Sequence, residues 1–271
     1  MKKKNLNEMS FLDHLEELRW LLVRSTLAIV IMAVATYFIS DYLFETIIFG
    51  PTRPSFFTYT YFCELSHQIG FADSICITEM PFIIQNTEME GQVNVFLWIC
   101  ILAGFILSFP YILWEIWKFI SPALYPKERK NAKVFIFFSS LLFFFGVLFG
   151  YFVVIPMSIN FVATFKVSEV VQNQFTLDSY IGMVKTSVLA GGLFFELPII
   201  IFFLTKLGLV TPKFLRKYWK YAVVIILIVA AIVTPPDVVS QTIVAIPMLI
   251  IYEVSIFISV LVYKNKIKEN V

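Results

Sequence analysis

Charge is scarce in this chain. Of 271 residues, 15% are charged and 59% are hydrophobic. A water-soluble fold of this size carries roughly a quarter of its residues as charges. The composition therefore excludes a soluble domain and predicts an integral membrane protein with several helical spans. Histidine is nearly absent. His14 and His67 are the only two, both outside the apolar runs, and no Ser or Cys nucleophile has a candidate histidine beside it within a span. No His/Cys/Asp/Glu group has metal-ligand spacing, and no glycine-rich phosphate loop is present. An enzyme, an ATP-driven pump, a resident cofactor and a nucleic-acid partner all lack support. Glycine is low, 10 against 30 phenylalanines, which predicts lipid-facing bulk and not close Gly-xxx-Gly helix pairs. Lys2–Lys4 are followed by a polar, acidic stretch, so no cleavable secretion signal is apparent.

What is present is a set of apolar runs with ordered charges between them. Ser10 and Asp13 have the spacing of a capping box. They open an amphipathic helix bearing Phe11, Leu15 and Leu18 on one side. Spans are expected at about 20–40, 93–114, 134–156, 180–204, 221–234 and 240–262, in a single six-span domain with a polar cap over about 41–91. Pro110 should kink the second span and Pro247 should interrupt the sixth. The fifth is short: the residues between Lys220 and Pro235 cover about 21 Å as a helix, against a hydrocarbon core of roughly 30 Å. Of the 21 basic residues, only Arg53, Lys166 and Lys185 fall outside the N-terminal segment, the 115–133 and 206–220 regions and the C-terminal tail. That asymmetry predicts both termini on the cytoplasmic side of a multi-pass protein.

Three acids fall within spans: Glu115, Glu196 and Glu253. Embedded charges are costly and are functional candidates by default. Glu196 lies ten residues before Lys206, about 15 Å along a helix and so near mid-membrane. It is expected to be protonated or to face a water-filled hollow. Glu115 sits near a span end, where it can reach the interface. Glu128 stands alone among Lys127, Arg129, Lys130 and Lys133 in the loop after the second span. A carboxylate there is either incidental to a basic loop or placed to receive a guanidinium. Cys63 and Cys76 share the 41–91 segment, where a disulfide is plausible. Cys100 reads as a small buried apolar residue. On these features alone, a proton-coupled secondary transporter built on Glu196 remains an alternative, although no internal repeat is visible.

Four motifs narrow the reading. They are His14-Leu-Glu-Glu-Leu-Arg19, Ser121-Pro-Ala-Leu-Tyr-Pro-Lys-Glu-Arg129, Phe195-Glu-Leu-Pro198, and Thr234-Pro-Pro-Asp-Val-Val-Ser-Gln241 with Ala245-Ile-Pro247. In this order they resemble the TatC family, the multispan receptor subunit of twin-arginine protein translocases. The resemblance covers nearly the whole chain. It implies an all-α, cupped membrane fold of six helices with both termini in the cytoplasm, in the bacterial cytoplasmic membrane. It implies recognition of signal peptides bearing consecutive arginines and export of folded proteins driven by the proton-motive force. It also implies the single-span partners TatA and TatB, and further copies of the chain in a receptor complex. Residue by residue, Glu17 and Glu128 fall on the arginine-reading carboxylates, with His14 and Arg19 beside them in the signal-peptide site. Glu196 falls on the embedded acid, Thr234 and Gln241 on the partner-helix contact, and Pro51 and Asp237 on the outer cap. The chain departs from the family at Leu21, where a second basic residue is frequent, and at Glu115, where Gln is frequent.

Overall fold

The computed structural model describes residues 11–69, 82–121, 132–168, 173–235 and 237–269. Phe11–Tyr37 forms helix α1. A turn of helix at Ser40–Tyr42, a π-helical stretch at Leu43–Ile48 and a 3-10 turn at Gly50–Thr52 lead to α2, Phe57–Ile69. Strand β1, Ile83–Gln85, precedes α3, Gly91–Ile120. Helix α4, Ala132–Phe149, runs through a π-helical segment, Gly150–Val154, into α5, Ile155–Thr164. Strand β2 is Gln174–Thr176, followed by α6, Leu177–Phe195, and α7, Leu197–Leu207. The short α8, Pro212–Lys217, leads to α9, Trp219–Val233, and α10, Val238–Glu269. Among the described residues, five helical stretches are long and apolar enough to cross a membrane: His14–Tyr37, Gly91–Ile120, Lys133–Thr164, Leu177–Leu207 and Ser240–Lys264. The predicted short fifth span coincides with α9, whose 15 residues cover about 22 Å.

By its contacts the chain divides into two compact units, one holding the described residues of Met1–Leu43 and Phe96–Leu141, the other those of Phe44–Val95 and Leu142–Val271. In the first, α1 and α3 pack antiparallel in a steady register. His14 stacks on Phe119 at 4.3 Å, Arg24 meets Glu115, Thr36 donates to the Cys100 carbonyl, and Tyr37 meets Phe96 edge-on. Gly104 allows the close approach: a Cβ there would lie 2.7 Å from both the Ala33 nitrogen and the Ile29 carbonyl. Pro110 sits inside the continuous α3.

The second unit is built around a core of Val154, Ile201, Ile226, Ala230, Val244, Met248 and Ile256, which joins the π-helical segment Gly150–Val154 to α7, α9 and α10. Two prolines organise the rest. A proline has no N–H for the carbonyl four residues earlier, so that carbonyl needs another donor. Pro156 leaves the Phe152 carbonyl open at the π-helical segment, and Thr58 Oγ1 donates to it at 2.7 Å. Pro51 leaves the Ile47 carbonyl open, and Tyr151 Oη donates to it at 2.7 Å. Tyr180 Oη donates to the Ile48 carbonyl, and Tyr59 Oη to that of Pro51 at 2.9 Å. These hydroxyls clasp the irregular 43–52 backbone to α2 and to the helices behind it.

Several expectations need correction. Close glycine packing does occur: Gly146 and Gly150 on one side meet Gly191, Gly192 and Ser187 on α6, so tightly that a Cβ on Gly146 would collide with the Gly191 carbonyl. Counting glycines missed this, because position decides packing and not abundance. Pro247 does not interrupt α10. Val244, Ala245 and Met248 are buried around it, and α10 packs along α7 through this region, which holds the helix where one hydrogen bond is lost. The break falls between α6 and α7 instead, at Glu196. The all-α fold class stands, with one small addition: β1 and β2 pair as a short parallel sheet with Ile84 beside Phe175. Single-sequence patterning had no means of pairing three-residue strands so far apart.

Candidate functional site

In the first unit, the sequence-predicted signal site begins on α1. His14 and Arg19 are exposed and Glu17 is half-buried. The α1/α3 register set by His14–Phe119 and Arg24–Glu115 brings the Glu17 turn level with the last turn of α3. Glu128, in the loop that follows α3, lies outside the described residues. Between these helices sits a charge cluster that sequence reasoning missed. Glu115 is 3% exposed and does not reach out to the interface on its own. Lys118 Nζ donates to its Oε1 at 2.7 Å, and Arg24 Nη1 to its Oε2 at 3.3 Å. Lys118 also lies over the Trp114 ring and Arg24 over Trp20. The Glu115–Lys118 spacing of three residues on a helix was the available sequence signal; the partnership with Arg24 needed the fold.

In the second unit, Glu196 is 6% exposed and stands at the junction of α6 and α7, ending one helix and opening the next. Pro198 explains the break. It cannot bond back to Phe194, and its ring disfavours helical backbone at the preceding residue. A buried carboxyl is thereby placed at a discontinuity in a span. Thr205 Oγ1 and Ser259 Oγ share a buried hydrogen bond of 2.8 Å between α7 and α10. Glu253, in contrast, is exposed and accepts from the Trp219 indole at 2.6 Å.

Thr234 is 5% exposed, and its hydroxyl donates to the Ala230 carbonyl of its own helix at 2.8 Å. Gln241 Nε2 donates to the Leu227 carbonyl at 3.0 Å, tying α10 to α9. Asp237 caps α10 by accepting from the Ser240 amide at 2.7 Å. Pro51 is fully buried in the tyrosine clasp. Cys63, on α2, is disulfide-bonded, and Cys100 is free and buried. Cys76 lies outside the described residues. Among the described residues, no group of three or more His, Cys, Asp and Glu side chains is arranged to hold a metal ion.

A chain with five helical stretches long and apolar enough to cross a membrane, one buried acid paired with two cations and another buried at a helix break, belongs to the class of multi-pass helical membrane proteins. The comparisons are more specific. The family described as TatC, Sec-independent protein translocase protein, matches residues 13–247. The Sec-independent protein translocase protein TatC of Blattabacterium sp. subsp. Periplaneta americana (strain BPLAN) is 42% identical, across 97% of this chain and 100% of that protein. TatCy of Bacillus subtilis (strain 168) is 32% identical, across 100% of this chain and 96% of its own. A crystal structure of the twin arginine translocase receptor TatC superposes with a TM-score of 0.70 at 31% identity, covering 92% of this chain and 99% of the other. The chain belongs to the TatC family of Sec-independent protein translocases. A proton-coupled solute transporter is not favoured.

Proposed function

We propose that this chain is the signal-peptide receptor of a twin-arginine translocase, with Glu17 and Glu128 receiving the consecutive arginines. The observation that carries the reading is the α1/α3 register, which sets the half-buried Glu17 level with the end of α3, the helix that leads into the Glu128 loop. A guanidinium matches a carboxylate with two parallel hydrogen bonds, and lysine cannot reproduce that fork. Two carboxylates therefore favour two arginines. Exposed His14 and Arg19 border the Glu17 turn, and Lys127, Arg129 and Lys130 beside Glu128 in the sequence partly offset the attraction, which suits reversible capture. The chain lies in a bacterial cytoplasmic membrane with both termini in the cytoplasm, a placement supported by the distribution of its basic residues. It works with TatA and TatB and with further copies of itself, and the proton-motive force drives export. Thr234 and Gln241, where α9 meets α10, mark the contact for a partner helix. The disulfide at Cys63 pairs with Cys76.

Photocrosslinking of a twin-arginine peptide to the full-length protein in native membranes tests the central claim. A hydrogen bond to a charged group contributes roughly 1.5–3 kcal/mol, so Glu17→Ala and Glu128→Ala should each weaken capture by about tenfold or more. Exchanging the peptide's arginines for lysines should cost less in the variants than in the parent. Equal discrimination by parent and variants would remove the carboxylates from the site. Thiol labelling of a cysteine placed at Lys127 should fail from outside the cell; success there would invert the topology.

A further inference from the structure

The stretch from the end of α7 to the start of α9 carries no acid and five basic residues: Lys206, Lys213, Arg216, Lys217 and Lys220. Four of them, Lys213, Arg216, Lys217 and Lys220, are exposed, and among the described residues no carboxylate pairs with them. The segment is nevertheless held firmly. Thr211 Oγ1 caps α8 by accepting from the Phe214 amide, Leu215 is buried, and Tyr252 of α10 donates to the Leu215 carbonyl at 3.1 Å. With Leu215 turned inward, α8 presents its cations outward beside a row of aromatics. Phe214 and Tyr218 rings lie 4.5 Å apart, Tyr218 and Tyr221 lie 5.9 Å apart, and the Lys217 ammonium sits over Tyr218. Phe214 is 51% exposed, Tyr221 66% and Leu209 72%. One carboxylate, Glu253, lies at the edge of this surface, and the Trp219 indole occupies one of its oxygens.

We infer that α8 and the start of α9 form a docking platform for anionic phospholipid headgroups. Four cations without carboxylate partners supply the charge complement to lipid phosphates. The exposed aromatic rings and Leu209 supply the apolar and amphipathic side chains that settle at the headgroup level of a bilayer. The rim lies where the apolar helices α7 and α9 end, so the phase next to it is the bilayer surface, which favours a lipid headgroup over an acidic protein as the occupant. Each cation near an anionic surface contributes an attraction corresponding to about a fivefold change in local concentration. The inference requires only that α7 and α9 border a bilayer, and it stands independently of how signal peptides are read.

Electron spin resonance of labelled lipids, with the full chain reconstituted in phosphatidylcholine bilayers, tests it. The probes are spin-labelled phosphatidylglycerol and spin-labelled phosphatidylcholine. The parent should hold phosphatidylglycerol about threefold or more over phosphatidylcholine. The preference should fall toward unity at high salt and in K213Q/R216Q/K217Q/K220Q, and should persist when Lys264, Lys266 and Lys268 are changed to Gln. If the quadruple variant does not reconstitute, K213Q/R216Q should show a partial loss. No preference in the parent, an unchanged preference in the platform variants, or an equal loss in the tail variant would overturn the inference. So would tight binding of an acidic peptide to the platform, equal in neutral and anionic bilayers, which would make the surface a protein dock.

Discussion

The Arg24 guanidinium, half-exposed on α1, lies 3.3 Å from the carboxylate of Glu115, which is buried on α3. Lys118 holds the other carboxylate oxygen at 2.7 Å. A buried carboxylate loses its solvation and depends on such partners, whereas its half-exposed cations can return to water. The two sides of the cluster should therefore respond differently to substitution.

Arg24→Gln leaves Glu115 with one cation and should cost about 1 kcal/mol of stability, the contribution of a charge-assisted bond discounted for its exposed partner. Arg24→Gln combined with Lys118→Gln strands the carboxylate and should cost more than the sum of the single changes. Adding Glu115→Gln to the pair should recover much of the loss. Thermal unfolding of the protein in detergent measures all of these. Strict additivity would mean that the three groups do not act as a cluster.

Gly146 and Gly191 face each other with their backbones in contact. Gly146→Val must push two helices apart, and overpacking of this kind costs about 1–3 kcal/mol. A Cβ added at Gly182, on the same α6, would meet nothing within 4 Å, so Gly182→Ala should leave stability unchanged or slightly raised. Unfolding midpoints in the same detergent compare them. A harmless Gly146→Val would contradict the close helix contact.

Tyr59 is 4% exposed and donates to the Pro51 carbonyl. Burial pushes its phenol well above the usual tyrosine range. A raised folded-state value means that its contribution is fully present below about pH 10, the unfolded value, and is lost as the pH rises beyond it. Tyr59→Phe should cost about 1 kcal/mol at neutral pH by leaving a carbonyl without its donor. The same variant should lose less than the parent on going from pH 9 to pH 11. A parent and variant with parallel alkaline profiles would show that this hydroxyl plays no part in the transition.

Glu196 marks the junction of α6 and α7. If its neutral form is the working one, Glu196→Gln should retain most export of a twin-arginine cargo, and Glu196→Leu should lose most of it while still capturing the signal peptide. Normal export by Glu196→Leu would remove the carboxyl from transport.

Much of this molecule was legible in one dimension. Long apolar runs with few charges can only be helices in a bilayer, because every backbone group must be satisfied within its own segment. The runs expected at 93–114 and 221–234 therefore coincide with α3 and α9. The motifs around Glu17, Glu196 and Thr234 pointed to the family that the comparisons identify. Other features rested on contacts between residues distant in the chain. Arg24 reads as one of many basic residues until α1 lies against α3 and sets it on Glu115. Tyr151 and Tyr180 read as ordinary aromatics until the prolines and π-helical turns leave carbonyls that only hydroxyls from other helices can reach. Pro247 and Pro198 carry the same local signal, yet one helix continues and the other breaks. The tertiary structure decides that difference, because α10 is held along its length by contacts to α7, α8 and α9 that carry it across the one lost backbone bond.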